Sequence, residues 1–209
     1  MTRDYHKPTR FEPHRFEGYV GAEDPARLRA AAHETARTLV DRGRERGADE
    51  LVERLVRFTD EHGVDAIAEL WAHTAPDSLP GALWRLYLVR ALIRQDAEWA
   101  ANAYRRGANT LRTADEAIAG AEAPAGPEEV ARLADLILRG AFSGDLADAL
   151  VRAAAAARIL ASGTLDEADA SDAGSPERAT TLTTRAARLS SIAEELANCA
   201  RLERASRLD

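Results

Sequence analysis

The chain has 209 residues, enough for one substantial hydrophobic core, and a formal net charge of −7. Apolar residues make up 45% of it but aromatic residues only 5%, so the core must be built from Ala and Leu, a mixture that suits close-packed helices and gives sheets little to pack with. The acidity argues against general nucleic-acid binding, which needs clustered cations facing phosphate, and no run of apolar residues is long enough to span a membrane.

Residues 1–23 are organised unlike the rest. Tyr5, Phe11, Phe16 and Tyr19 are spaced by Pro8, Pro13 and Gly18 without a helical period, which predicts an extended N-terminal arm. Four aromatics are too many for a solvated tail, so the arm is expected to dock, either on its own helices or on a partner. The segment is charged throughout and lacks the apolar core of a secretory signal. Cys199 is the single cysteine, which rules out an intrachain disulfide, and the two features together predict a cytoplasmic protein.

Helical grammar begins at Asp24, an N-cap followed by Pro25 at the first helical position, and continues through Leu28, Ala32, Thr35 and Leu39 toward Gly47. A second helix is predicted from Asp49 to Gly63. A third, through Val64, Ile67, Leu70 and Trp71, stops near Pro76. After Ser78 and Pro80 comes a segment apolar nearly all round, with Leu83, Trp84, Leu86, Tyr87, Val89, Leu92 and Ile93, which is expected to be the central helix. A fifth starts near Asp96 and carries Trp99, Ala103, Tyr104 and Leu111, and a short sixth follows Thr113.

Gly126-Pro127-Glu128-Glu129 is the next start signal, with carboxylates in the first turn, and its stripe of Val130, Leu133 and Ile137 ends at Gly140. Ser143 opens an Ala-rich helix that turns Leu146, Leu150, Ala154, Ala157 and Leu160 inward. Residues 162–174 hold Asp166, Glu167, Asp169 and Asp172 with no base, and read as a flexible acidic loop. The last helix opens at Ser175-Pro176-Glu177 and runs to about Arg207. Its apolar positions Leu182, Ala186, Leu189, Ile192, Leu196, Cys199 and Leu202 advance in steps of three and four, a seam expected to lie across its own domain. The predicted fold is therefore all-α: an orthogonal or antiparallel bundle of about seven to eight helices, residues 24–209 forming one domain behind the arm.

Constellations that would carry chemistry are sparse. A di-iron bundle needs Glu-x-x-His, which does not occur here. Glu69 and His73 lie four apart on one helix face, but two ligands are too few for a metal site. His73, Asp77 and Ser78 share the letters of a catalytic triad yet fall within one helix end and its turn, where capping explains Asp77 and Ser78. Cys199 sits on an apolar stripe and reads as a small hydrophobe. No metal, cofactor or catalytic group is expected, and the chain is read as non-enzymatic.

Charge distribution is more informative. Residues 78–112 contain six Arg and two acids, a net +4, whereas residues 113–177 contain four Arg and thirteen acids, a net −9. Arg85 and Arg90 fall inside the most apolar helix, where a guanidinium must be paired. Either they bridge to acids such as Asp60, Glu61 or Asp77, or Arg85, Arg90 and Arg94 line a groove with Trp84, Trp99 and Tyr104 that holds an anionic ligand or a partner's acidic segment.

The stretch at residues 73–90, HTAPDSLPGALWRLYLVR, resembles a family of small uncharacterised all-helical actinobacterial proteins, and so do the opening Asp4-Tyr5-His6-Lys7-Pro8-Thr9 and Gly126-Pro127-Glu128-Glu129. The likeness covers most of the chain and implies a helical fold, but it brings no catalytic or binding residues. Labels carried by some relatives, such as RNA polymerase β subunit, demand a far longer chain. The functional expectation is an interaction or regulatory protein that binds a protein partner through the arm and the Arg/Trp groove. The alternative is a small-molecule binding or sensor domain.

Overall fold

The computed structural model describes residues 24–45, 53, 57, 70–111, 115–120 and 126–209. The arm with Tyr5, Phe11, Phe16 and Tyr19, the helix expected from Asp49 to Gly63 and most of the one after it lie outside these residues. Seven helices occur among the described residues: α1 (Pro25–Glu45), α2 (Leu79–Gln95), α3 (Ala97–Leu111), α4 (Asp115–Ala119), α5 (Pro127–Ser143), α6 (Leu146–Ser171) and α7 (Pro176–Arg204). The described fold is all-α, a multi-helix bundle.

Helix starts follow local chemistry. Asp24 Oδ1 accepts from the Ala26 amide at the head of α1. Ser78 Oγ accepts from Gly81 and donates to the Ala75 carbonyl at 2.7 Å, so the cap also fixes the turn before α2. Asp96 Oδ1 accepts from the Trp99 amide at 3.0 Å and opens α3 directly behind α2. The Ala-rich helix is capped by Asp145, two residues beyond the expected Ser143, through a bond from the Asp148 amide.

The central helix is α6, not the Leu- and Trp-rich α2. It packs against α2, α3, α4, α5 and α7, and the five consecutive alanines from Ala153 to Ala157 are all buried. Centrality here follows from small side chains rather than large ones, because a helix with Ala on every side admits neighbours all round. Helix α2 is still largely buried and contributes Leu83, Tyr87 and Ile93 to the core.

The acidic stretch corrects the sequence reading further. Residues 162–171 continue α6, and the connection to α7 is confined to residues 172–175. Three kinds of contact hold this end helical. Gly163 and Gly107 bring the backbones of α6 and α3 together: a Cβ on Gly163 would collide with the Ala103 carbonyl oxygen, and one on Gly107 with that of Ile159. Thr164, fully buried, donates to Leu160 O at 2.6 Å, and Ala168 is buried a turn later. Two of the acids face arginines on other helices, Asp166 with Arg106 of α3 and Glu167 with Arg178 of α7, each at 2.6 Å.

Helices α6 and α7 form an antiparallel hairpin, since Glu167 pairs with Arg178 near the loop and Asp148 with Arg204 at the far end. The seam of α7 closes on the domain itself: Leu182, Ala186, Leu189, Leu196 and Cys199 are buried. Beyond α7, Arg207 N donates to Leu202 O and Ser206 N to Glu203 O, a Schellman turn with Ser206 at φ 54° in the left-handed region. The turn delivers Leu208 into the core and Asp209 O to the Leu79 amide at the start of α2.

Candidate functional site

The predicted groove residues are divided among several environments. Arg85 pairs with Glu195 of α7 and donates to Gly81 O at 2.9 Å. Arg90, only 4% exposed, donates from Nε to Asp135 Oδ1 of α5 at 2.6 Å, and Arg94 reaches Asp135 Oδ2 at 3.5 Å. Among the described residues the carboxylates paired with these arginines are Glu195 and Asp135; the expected partners Asp60 and Glu61 lie outside the described residues. Trp84 is half-buried against the core and Tyr104 is fully buried within it. Only Trp99 of the six lines the cleft between α3 and α7 described below.

Part of the charge asymmetry seen in sequence is spent inside the molecule. Arg90, Arg94 and Arg106, from the basic stretch, face Asp135 and Asp166 from the acidic one. Arg158 of α6 bridges to Asp115 of α4. Residues suspected of chemistry are likewise committed to structure or to solvent. Both bonds of Ser78 serve the α2 cap, and His73 is exposed in the turn after Trp71. The Cys199 thiol donates to Pro76 O at 3.2 Å, and burial pushes it up to about 11, above the ordinary 9.0. Nearby Arg85 pulls the other way without offsetting burial. Tyr87 is also pushed upward by burial, against a smaller effect from Arg90. Among the described residues no group of three or more His, Cys, Asp or Glu is placed to hold a metal ion. No described helix is long and apolar enough to cross a membrane.

A cleft of about 630 Å³ lies between α3, the acidic end of α6 and the first turns of α7. Helix α3 supplies Trp99, Asn102 and Arg106, preceded by the cap Asp96; α7 supplies Arg178, Thr181, Leu182 and Arg185; α6 supplies Glu167. Its walls follow helical spacing, at i, i+3 and i+7 on α3 and i, i+3, i+4 and i+7 on α7.

The Arg185 guanidinium lies over the Trp99 ring at 3.2 Å from its centroid, a cation–π contact. Arg106 and Arg178 are neutralised by Asp166 and Glu167, whereas Arg185 has no carboxylate within ion-pair distance among the described residues. Burial lowers its pKa, and the fields of Asp96 and Glu167 oppose that shift. Trp99 Nε1 is buried with no hydrogen-bond partner among the described residues. Sequence reasoning found Trp99 but missed Arg185, because the two meet only through the packing of α3 and α7 on α6. The signal available was the polar run Arg178, Thr181 and Arg185 along a helix whose other face is apolar.

No protein-family model matches the chain, and neither the curated proteins nor the solved structures contain a match.

Proposed function

We propose that this chain is a non-enzymatic interaction protein, a helical scaffold that recognises a protein partner at the cleft between α3 and α7. One observation carries the reading: Arg185, half-buried and without a carboxylate at ion-pair distance among the described residues, rests on Trp99 at the rim of an open cleft. Arginine stacked on tryptophan, with its outer edge able to donate, is a combination enriched where proteins bind one another. The internal pairing of Arg85, Arg90 and Arg94 makes α2 part of the scaffold rather than of the binding face. The commitment of Ser78 and Cys199 to structural hydrogen bonds supports a role without covalent catalysis. We retain kinship with the small helical actinobacterial proteins as a reading of residues 73–90, and a cytoplasmic location as a reading of the cysteine content.

Photo-crosslinking in cells tests the proposal. A benzophenone amino acid at Asn102 should give a discrete protein adduct, whereas the same group at Ser190, an exposed position of α7 outside the cleft, should not. Identical patterns at both positions, or none at Asn102, would sink it. A second reading, small-molecule binding, is favoured by the volume of the cleft, which lies within the range of ligand pockets, roughly 300–1,000 Å³. A metabolite that raises the melting temperature of the wild type and not of Arg185→Gln would establish it.

A further inference from the structure

Building on the α3–α7 cleft as a docking site, we propose that it accepts one carboxylate side chain, carried by a short extended acidic segment of the partner and held by Arg185.

Charge balance argues for a single negative charge. Around the cleft, Arg106 and Arg178 hold Asp166 and Glu167 at 2.6 Å, whereas Arg185 carries no ion pair among the described residues. An incoming monoanion meets one guanidinium that lacks an ion-pair partner. A dianion such as phosphate adds a second charge where Asp96 and Glu167 already act on Arg185. The planar two-oxygen face of a carboxylate also matches the guanidinium fork.

The walls support the choice of a segment over a compact ligand. From Arg178 to Arg185, and from Trp99 to Arg106, each wall runs seven residues, about 10 Å at the helical rise. Three extended residues span that length. Leu182, 7% exposed, gives the floor an apolar patch, and Asn102 spends its Oδ1 on Arg105, which leaves the amide nitrogen as a second donor. Stacking on Trp99 limits the freedom of the Arg185 side chain before the ligand arrives, so less entropy is lost on binding.

The protein contains three tryptophans, so labelling the full chain with 5-fluorotryptophan gives three fluorine resonances, with Trp99 assigned through Trp99→Phe. Three probes are titrated at matched ionic strength: an end-blocked Ala-Glu-Ala peptide, acetate and inorganic phosphate. The peptide should shift the Trp99 resonance saturably, phosphate should leave it in place, and Arg185→Gln should weaken the peptide about tenfold or more. Arg185→Lys, which keeps the charge and loses the fork, should fall between the two and serves where the glutamine variant does not fold.

An unresponsive Trp99, a phosphate response equal to that of the peptide, or undiminished binding in both Arg185 variants would each overturn the proposal. A response to acetate without one to the peptide would also overturn it, in favour of a small carboxylate ligand. Failure of the docking reading is separate, being reported by the crosslinking at Asn102. An adduct there with an unresponsive Trp99 would leave docking in place and remove only the carboxylate.

Discussion

Arg90 of α2 and Asp135 of α5 form an ion pair at 2.6 Å in which the guanidinium is almost wholly buried and the carboxylate is partly open to solvent. The bond ties α2 to its neighbour α5. Asp135 also faces Arg94, so one carboxylate answers two cations. Asp135→Ala should cost about 2 kcal/mol in urea unfolding, because a buried guanidinium loses a hydrogen-bonded carboxylate. Replacing the pair together, as Arg90→Met with Asp135→Leu, should recover most of that loss. A double variant no better than Asp135→Ala would show that the pair does more than cancel its own desolvation.

Gly163 and Gly107 make a sharper test, since the obstacle at each is backbone that cannot swing aside. Gly163→Ala should destabilise by about 3 kcal/mol or more, near the upper end for overpacking. Gly174, in the connection between α6 and α7, has only a distant neighbour for an added Cβ. Gly174→Ala should be near neutral. Equal losses at the two positions would contradict the close crossing of α3 and α6.

Cys199 gives a pH signature. Its thiol titrates at about 11 in the folded protein against an ordinary 9.0, so the folded state holds a proton that the unfolded chain releases first. Stability is unaffected by this group below about pH 9 and falls as pH rises toward 11. Cys199→Ala should flatten the decline in that window, as measured by denaturant midpoint. The native thiol should also resist alkylation at pH 8 until the protein is unfolded.

Ser206 occupies a left-handed position that glycine adopts at little cost. Ser206→Gly should therefore raise stability by about 0.5–1 kcal/mol in spite of the greater freedom of the unfolded chain. Ser206→Val, β-branched at the same angle, should lower it. A melting temperature indifferent to both substitutions would mean that the Schellman turn is frayed in solution.

Much of the architecture was legible because caps are local. Asp24, Asp96 and Gly126-Pro127 stand within a residue of helix starts, and the α7 seam predicts its buried face. What failed was non-local. The acids at 166 and 167 look like a solvated loop until Arg106 and Arg178 arrive from other helices, and the rank of α6 as the hub depends on neighbours that its alanines cannot name. The cleft was legible only in half: Trp99 is conspicuous as a rare aromatic, while Arg185 resembles every other surface arginine of α7 until it is seen against the indole. Hydrogen exchange offers a direct check on the correction, with amides 163–169 expected to be protected like those of 153–160.

The crossing at Gly107 and Gly163 also governs something at a distance from itself. Helix α3 bears on α6 through main chain, and α7 bears on α6 through the hairpin, so the gap between Trp99 and Arg185 is gauged by contacts that neither residue makes. The aperture of the cleft is thus inherited from an inelastic joint. A methyl group added at that joint would widen the mouth of the cleft without altering a single residue that lines it.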